Sequence, residues 1–547
     1  MKMKRFIALF LALIMVMSVL AGCGTEPEET KGQENVPADT KGQEENPAVE
    51  TTEGSKEIVF PLEETMTFTG MSVMANSYYY KDNIGWNYAL DRANIHIELT
   101  EFMKDECEEK SNMLLSSGEY PDMIYKPRGV DVDAYGMEGV FIPLEDLIRE
   151  YAPNLSALLD ERNAWDELKA PDGHIYSLPN INICDVPIGT SGPIWINQRW
   201  MDNLGLKMPT NMEELYEVLK AFKEQDANGN GDPNDEIPFT SIGFGMDFLV
   251  PFGINDVYGT HYVINEDGSA SFVYTTEAYK EGLKWVNKLY NMGVIDNEMF
   301  TQDQTIRDAK CDDPEVSKVG FAYAWSYDAI FKRWMKEYAV MEPVAGPDGV
   351  RYAHGDLNGM YSIKSNQLCI TTACEDPVLV LKWADKFYTG EASIQNFWGG
   401  LGEVTTANAD GTYTLNNPPE GISADSWYWD RSLRDFGPKY SSIEFDKKII
   451  LDPTQGDGLK VAMDANTAQY VTPCFPELKF TAEEYEELSF IETDIESYID
   501  TTRAKWITEG GIDEEWDGFV AQLSNMGLET MNEIYLGAYA RYVESQK

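Results

Sequence analysis

The sequence has few histidines and few cysteines, which narrows the chemistry that it can perform. Its four histidines are His96, His174, His261 and His354, and no G-x-S-x-G nucleophile elbow accompanies them, so serine or cysteine hydrolase chemistry is disfavoured. Seven cysteines are too few for a disulfide scaffold in 547 residues, and no close Cys/His pairs of the zinc-binding kind occur. Most cysteines of the body are therefore predicted to be small buried residues, and one or two disulfides remain open.

Basic residues are also scarce. The chain holds 43 Lys and Arg against 93 Asp and Glu, which gives a net charge of −50. A surface so acidic repels nucleic acid and anionic lipid, and both are excluded as partners. The sequence also lacks the GxxxxGK[ST] phosphate-binding loop, so any ATP-driven process needs a separate ATPase subunit.

Apolar runs long enough to enter a membrane are confined to the N-terminus. Lys2, Lys4 and Arg5 precede the run FIALFLALIMVMSVLA, which is typical of a secretory signal peptide and short for a membrane-spanning helix. The run ends in LAGC, which resembles the bacterial lipobox and implies a lipid on Cys23 after cleavage. The alternative is an ordinary signal peptide with a chance cysteine. We predict a signal peptide at 1–22 and a soluble body held at the membrane only by this lipid.

Residues 23–56 are predicted to form the lipidated Cys23 and a flexible tether. TKGQENVPAD at 30–39 is followed by the near-duplicate TKGQEENPAV at 40–49. A segment so rich in Glu, Pro, Gly and Thr has too little apolar surface to fold. As a flexible chain it reaches roughly 30 Å, enough to hold the body clear of a bilayer.

The body alternates short strands with helices. Strand patterns such as TFTGMSVMA, NIHIEL, GPIWINQ and KVGFAYAWS are interspersed with helical patterns such as NIGWNYALDRA and CEEKSNMLLSSG. This alternation predicts α/β lobes on parallel sheets, which bind ligands at the carboxyl ends of their strands. The last third is more helical, and Thr481 and Glu484 have the spacing of a capping box.

The stretch DANGNGDPNDE follows an amphipathic helix, for which Thr210 and Glu213 have capping-box spacing. Calcium takes about six to eight oxygen ligands, and alternating Asp and Asn around a tight glycine turn deliver them inward. We predict a structural calcium site, EF-hand-like but shorter. The candidate ligands are Asp226, Asn228, Asn230, Asp232 through its backbone carbonyl, Asp235 and Glu236. The alternatives are a solvated acidic turn and, less favoured, a catalytic carboxylate cluster, because carboxylates that hold a cation are unavailable as acid or base.

Several segments of the body occur in an order typical of one family: LLSSGEYPDMIY, IYSLPN followed by GPIWINQRWMDNLGLKMPTNMEEL, YKEGLKWVNKLYNMGVID, and AKWITEGGIDEEWDGFVAQLSNMGLETMNEIY. Together they resemble the lipoprotein substrate-binding proteins of bacterial ABC importers, in the oligosaccharide-binding group that includes the alginate-binding periplasmic proteins. The resemblance implies a periplasmic-binding-protein-like (type II) fold with two α/β lobes joined by crossing hinge strands. It places the first lobe at 57–188 and 357–395, and the second at 189–356 and 396–547. Alginate-binding members carry a similar calcium loop, so the resemblance also favours calcium.

The resemblance implies a protein that binds its ligand and releases it chemically unchanged. The chain would be a monomeric, lipid-anchored receptor on the extracellular face of the cytoplasmic membrane, binding an oligosaccharide by closure of its lobes. It would then deliver the sugar unchanged to an ABC permease with a separate ATPase, so it is predicted not to be an enzyme. The main alternative is a secreted calcium-dependent glycoside hydrolase. Such an enzyme needs two catalytic carboxylates, and so acidic a chain has many candidates for them. Another is a receptor of the same fold for sensing or for a ligand such as a peptide.

Aromatic residues make up 12% of the chain and suggest how a sugar is held. Sugar rings lie flat on aromatic side chains, while their hydroxyl groups bond to polar groups around the edge. Asp122 ends a first-lobe strand and is a candidate acceptor, with a turn or cap role as the alternative. The candidate platforms, each of which also suits core packing, are Tyr78, Tyr79, Trp86, Trp195, Trp325, Trp398, Trp427 and Trp429. The helix-borne Trp285, Trp383 and Trp506 are predicted to be core residues.

Overall fold

A computed structural model of the chain describes residues 58–73, 80–103, 106–183, 194–324, 330–356, 361–419, 422, 424–433, 437–454 and 456–545. The predicted signal peptide, Cys23 and the tether lie outside the described residues, as do the candidate ligand contacts Tyr78, Tyr79 and Trp325. None of the helices in the described part of the chain is both long and apolar enough to span a bilayer.

The strands and helices alternate along most of the chain. The strands are β1 (Met66–Val73), β2 (Ile95–Phe102), β3 (Met123–Tyr125), β4 (Leu178–Ile183), β5 (Ile194–Asn197), β6 (Tyr262–Ile264), β7 (Ala270–Phe272), β8 (Phe321–Tyr323), β9 (Tyr338–Met341), β10 (Tyr361–Ile370), β11 (Thr405–Ala407), β12 (Tyr413–Leu415), β13 (Lys439–Ser441) and β14 (Ile449–Ile450). The helices are α1 (Ile84–Asp91), α2 (Cys107–Ser116), α3 (Val132–Met137), α4 (Glu145–Tyr151), α5 (Pro153–Arg162), α6 (Gln198–Leu204), α7 (Met212–Glu224), α8 (Glu277–Asn291), α9 (Gln304–Cys311), α10 (Pro377–Asp385), α11 (Gly390–Ser393), α12 (Ala424–Trp429), α13 (Ile443–Asp446), α14 (Gly456–Thr467), α15 (Ala482–Glu509), α16 (Ile512–Asn525) and α17 (Leu528–Ser545).

The largest sheet has six strands in the order β13–β4–β10–β3–β1–β2. β1 runs parallel to β2 and β3, whereas β10 runs antiparallel to β3 and β4. In β2, Ile95 and Ile97 are buried while His96 and Glu98 face solvent, which is the alternation of a strand with one face on a core. The predicted α/β class, with a helical C-terminal part formed by α15 to α17, is confirmed.

A second, three-stranded sheet has the order β8–β5–β9. β5 is antiparallel to both neighbours, so β8 and β9 run in the same direction and their carboxyl ends meet at one edge. A further three-stranded sheet pairs β12 with β11 and β14, and a two-stranded sheet pairs β6 with β7.

The two helix starts that were predicted from capping boxes differ in outcome. At α15 the prediction is confirmed: the backbone N–H of Glu484 donates to Thr481 Oγ1 at 3.2 Å, and that of Thr481 donates to Glu484 Oε2 at 2.8 Å. At α7 the Thr210–Glu213 pair is wrong by one residue. Asn211 is the N-cap, and the carboxylate that reaches back to Thr210 belongs to Glu214.

Two large hydrophobic cores support the sheets. In the first, Trp86 packs edge-on against Tyr125 and Trp383 with ring centroids 4.7 and 5.8 Å apart. The second lies among α7, α8 and the C-terminal helices. Trp383 and Trp506 are buried as predicted, whereas Trp285 is half-buried against the second core.

The described cysteines behave as small core residues rather than as cross-links. Cys107, Cys311 and Cys369 are buried, and Cys374 and Cys474 are half-buried. All five are free thiols. Cys184 lies outside the described residues.

Sheet membership gives a partial view of the predicted lobes. β1 to β4 and β10, which fall in 57–188 and 357–395, share the six-stranded sheet, and β5, β8 and β9 share the other. β13 falls in the range assigned to the second lobe but pairs with β4 in the six-stranded sheet. The lobe boundaries themselves stay a prediction.

Candidate functional site

The acidic loop, residues 226–236, begins where α7 ends and is wrapped around its own polar side chains. Asp226 Oδ1 accepts the backbone N–H of Asn230 at 3.0 Å, and its Oδ2 accepts that of Gly231 at 2.9 Å. Gly231 has a φ of 95°, a conformation that suits glycine because it has no Cβ to clash. The sharp turn predicted for this position is present.

Two amides and two carboxylates converge inside this loop. Asp235 Oδ1 and Oδ2 accept from the side-chain amides of Asn228 and Asn230, each at 2.7 Å. Glu236 Oε1 accepts the backbone N–H of Asn228 at 3.3 Å, while its Oε2 is buried and has no hydrogen-bond donor among the described residues. Burial raises the pKa of Glu236, because the charged carboxylate is poorly solvated there.

The residues of the acidic loop fit a hard cation. In the described part of the chain no three His, Cys, Asp or Glu side chains lie together as a metal cluster, and the loop offers a mixture of carboxylate and amide oxygens instead. Oxygen is the donor that calcium prefers, and the unpartnered Glu236 Oε2 is the kind of buried acceptor that a cation would satisfy. Asp232 is exposed and its carboxylate binds Asn234, so only its backbone remains a candidate ligand.

Helix α6 holds the acidic loop from outside, a feature that the sequence analysis missed. The guanidinium of Arg199 donates to the carbonyl of Asn228 at 2.9 Å and to Glu337 Oε1 at 2.5 Å. The amide of Asn203 donates to the carbonyl of Ala227 at 2.9 Å. Because α6 follows β5 directly, these bonds tie the loop to the three-stranded sheet.

A cavity of about 70 Å³ lies at the carboxyl ends of β8 and β9. Tyr323 and Met341, at these ends, are both register partners of Ile194 at the start of β5, and all three side chains line the cavity. The residues directly before β5 and shortly after β8 lie outside the described part of the chain.

One wall of the cavity carries a histidine–aspartate pair. His354 Nδ1 lies 3.4 Å from Asp247 Oδ1. Burial opposes the charged imidazolium, but the neighbouring carboxylate of Asp247 outweighs it, so the pKa of His354 is raised. Tyr323 donates its hydroxyl to the backbone carbonyl of Asp247 at 3.2 Å, which fixes this wall against β8.

Helix α14 contributes one of its faces to the lining of the cavity. Lys460, Met463, Asp464 and Thr467 follow one another at intervals of three, one and three residues, and all four line the cavity. The ammonium of Lys460 contacts both oxygens of Asp464, with the Oδ2 bond at 2.6 Å. The two side chains are only 2% and 10% exposed, so this is a buried ion pair. The helical spacing is the signal that could have identified this face from the sequence.

Three of the predicted aromatic platforms lie in cores. Trp86 is 1% exposed, Trp195 is 2% exposed and donates its indole N–H to the carbonyl of Ala324, and Trp398 is 6% exposed beside Phe397. A buried indole has no open face on which a sugar can stack. Their role as ligand contacts stays a prediction.

The remaining predicted contacts are half-buried. Trp427 lies under the guanidinium of Arg431, 3.7 Å from the ring centre, and its indole N–H has no acceptor among the described residues. Trp429 packs beside the first core. Asp122 Oδ2 accepts from both the backbone N–H and the hydroxyl of Thr69, at 2.6 and 2.8 Å, and so links β1 to the start of β3.

Comparison with known proteins places this architecture among solute-binding proteins. No family model matches the chain. The fructooligosaccharide ABC transporter substrate-binding protein FusA of Streptococcus pneumoniae is 31% identical over 568 residues, covering 99% of each chain. The lipoprotein LipO of Bacillus subtilis is 27% identical over 54% of this chain and 59% of its own.

Solved structures agree with the sequence relatives. FusA in complex with kestose, and an EF-hand mutant of FusA in complex with fructo-nystose, each superpose with a TM-score of 0.78 and 30% identity, over 88% of this chain and 100% of theirs. The alginate-binding protein AlgQ2 without calcium ion has a TM-score of 0.70 over 89% of this chain and 100% of its own. Its 21% identity supports the fold alone.

Proposed function

The chain belongs to the oligosaccharide-binding group of ABC-transporter substrate-binding proteins, and from this premise we propose that it captures an extracellular oligosaccharide and delivers it to a membrane permease. The observation that carries the proposal is the end-to-end match to FusA, 31% identical over 99% of both chains. A match of that extent leaves no separate region for a catalytic domain. The close relatives are named as binding proteins, so release of the sugar unchanged is part of the proposal.

The ligand would lie between the six-stranded and three-stranded sheets, in contact with the carboxyl ends of β8 and β9. In the predicted two-lobed arrangement, a sugar that touches both lobes only when they are closed favours the closed state by its differential affinity. Because FusA is a fructooligosaccharide ABC transporter substrate-binding protein, fructooligosaccharides are the first sugars to test. Tyr323 and Tyr352 line the cavity and supply aromatic surface, while Trp427 has an unpaired indole donor among the described residues.

A structural calcium ion in the acidic loop is the second part of the proposal. The EF-hand of the relative FusA supports it, as does the buried Glu236 Oε2, which has no donor among the described residues. The ligands would be Asp226, Asn228, Asn230, Asp235 and Glu236, with the backbone carbonyl of Asp232 as a further candidate. The ion would supply positive charge that holds these carboxylates together, and it would take no part in sugar chemistry.

The remaining partners follow from the predicted N-terminus. A lipid on Cys23 would anchor the protein at the extracellular face of the cytoplasmic membrane, and the relative LipO is a lipoprotein. The permease and its ATPase would be separate chains, because this sequence has no GxxxxGK[ST] loop. The protein would act as a monomer.

The test is titration calorimetry of the purified protein against kestose, nystose and a wider glycan panel, with calcium present. A stoichiometric binding heat, followed by recovery of the unchanged sugar on chromatography, is the expected result. Appearance of shorter sugars would make the protein a glycoside hydrolase. Absence of binding across the whole glycan panel would remove oligosaccharide as the ligand class.

A further inference from the structure

We propose that the cavity at the carboxyl ends of β8 and β9 receives an uncharged hydroxymethyl group of the oligosaccharide and rejects the carboxylate that replaces this group in a uronic acid. The inference rests on the proposed function, because it specifies which oligosaccharides the same site accepts. It makes the protein a receptor for neutral sugars.

The size of the cavity limits what can enter it. At about 70 Å³ it is less than half of the roughly 150 Å³ that accommodates a benzene ring. A whole sugar ring is therefore too large, whereas an exocyclic group that projects from a ring fits. In hexoses and in fructose that group is a primary alcohol, and in uronic acids it is a carboxylate of nearly the same shape, so the walls must discriminate by charge.

Each basic side chain in the walls is already matched by a carboxylate. Among the cavity-lining residues that the structure describes, the basic ones are His354 and Lys460. His354 is paired with Asp247, and Lys460 contacts both oxygens of Asp464. An entering carboxylate would therefore meet no uncommitted cation and would lie close to two carboxylates that repel it.

A primary alcohol meets a more favourable environment. The side chain of Asp247 lines the cavity and is 24% exposed, so its carboxylate can accept a hydrogen bond from a ligand hydroxyl. The thioethers of Met341 and Met463 line the cavity and adapt to the methylene of the same group. The net charge of −50 adds long-range repulsion against anionic sugars.

The experiment compares matched sugar pairs by calorimetry on the calcium-loaded protein. Kestose, maltotriose and any other neutral binder of the glycan panel are each paired with the same sugar after oxidation of its primary alcohols to carboxylates. We expect the oxidised form to bind about 100-fold more weakly or worse. Equal affinity for the two forms would overturn this inference and leave the proposed function standing, whereas a panel with no binder would overturn both.

Two variants test whether the cavity is the source of the discrimination. Asp464→Asn removes the carboxylate that Lys460 contacts, and Asp247→Asn removes the carboxylate beside His354. Each is expected to narrow the ratio of neutral to oxidised affinity about tenfold, because the wall then carries one negative charge fewer and its cation can bind the ligand carboxylate more strongly. Glu106→Gln is the matched control: it breaks an exposed Lys–Glu pair of the same helical spacing and should leave the ratio unchanged. Folded Asp464→Asn or Asp247→Asn protein with the wild-type ratio would overturn the assignment, and the second variant keeps the test decisive if the first does not fold.

Discussion

The acidic loop and the cavity walls both contain buried carboxylates, and they differ in what neutralises them. In the cavity, Asp464 is held by Lys460 and Asp247 lies beside His354. In the acidic loop, Asp226, Asp235 and Glu236 take no part in an ion pair within the described residues, and their partners are backbone N–H groups and amides. Arg199 lies close by, but its guanidinium bonds to the carbonyl of Asn228 and to Glu337.

The difference is consistent with the calcium ion that we propose for the acidic loop. In the cavity, the folded chain itself supplies the counter-charge of each carboxylate. The surroundings of such a pair therefore suit neutral ligands. Carboxylates without a paired cation repel one another until an ion arrives. In a chain with 43 basic and 93 acidic residues, the placement of Lys460 in the cavity rather than beside the acidic loop is thus a functional difference.

The largest expected effect on stability comes from removing the lysine that neutralises a carboxylate in the cavity, which gives this region an unpaired carboxylate like those of the acidic loop. Lys460→Met leaves Asp464 buried without its cation, and we expect a loss of about 3–5 kcal/mol in unfolding free energy by denaturant titration. Combining Lys460→Met with Asp464→Leu should recover most of this loss, because an apolar pair of similar volume needs no counter-charge. A single variant within about 1 kcal/mol of wild type would mean that the pair is effectively solvated.

The second effect comes from removing the ion that we propose for the acidic loop. At calcium concentrations near 100 times the dissociation constant, chelation should cost about 3 kcal/mol of stability, restored by calcium but not by magnesium. The sharper experiment is Glu236→Gln measured with and without calcium by thermal unfolding.

Glu236→Gln is expected to reverse its effect between the two conditions. With calcium it should be less stable than wild type because it loses a ligand oxygen charge. With chelator present, the melting temperature of the variant should equal or exceed that of wild type, because the substitution removes a buried carboxylate that has one oxygen without a partner among the described residues. A variant that is destabilised equally in both conditions would argue that the loop is an ordinary polar turn.

A third, smaller effect is expected at an ion pair of intermediate burial. Lys310 Nζ lies 2.7 Å from Asp296 Oδ2, and the two side chains are 18% and 8% exposed. We expect Lys310→Met to cost about 1–2 kcal/mol, between the values for surface and buried pairs.

The same pair has a defined dependence on pH. Burial opposes ionisation of Asp296, but bonds from Lys310, the backbone of Glu298 and Thr240 outweigh it, and the pKa of Asp296 is lowered. A lowered carboxyl pKa contributes stability that is present above the unfolded pKa of about 3.9 and is lost as the pH falls through the folded pKa. The difference between wild type and Lys310→Met should therefore shrink below pH of about 4, as measured by denaturant titration at several pH values. A constant difference would mean that the lysine acts through packing.

The smallest effect is expected at the surface. Lys110 on α2 and Glu106, the residue directly before this helix, form a 2.6 Å pair with side chains 43% and 50% exposed. Glu106→Gln should change the unfolding free energy by no more than about 0.5 kcal/mol, and less at high salt. A larger change would undermine the use of this variant as a control.

How far the sequence predicts each region depends on how local the region is. The acidic loop comes from eleven consecutive residues, so its composition and its glycine turn could be recognised directly. The cavity gathers Ile194, Asp247, His354 and Lys460 from distant parts of the chain, and only folding brings them together. Its one local signal, the spacing of Lys460, Asp464 and Thr467 on α14, lies within a helix that the sequence analysis did not examine.

The differences from the sequence predictions have equally local causes. Trp86 lies four residues before Leu90 on α1, and that helical face is turned into the core rather than toward a ligand surface after β1. The capping box at α7 is displaced because Asn211 competes with Thr210, and Asn is at least as good an N-cap as Thr. Strand and helix order, by contrast, follows from periodicity, and the predictions of β1, α1, β2 and α2 are confirmed, whereas Asp122, predicted to end a strand, lies directly before the start of β3.

The ten-residue span from Ile194 to Asn203 connects the cavity to the acidic loop. Its first residue touches the cavity, its strand turns into α6 at Gln198, and Arg199 and Asn203 clamp the acidic loop from the far side. An ion bound in that loop would therefore stabilise the position of Ile194 in the cavity lining. We therefore expect substitutions within these ten residues to change sugar binding and ion binding together.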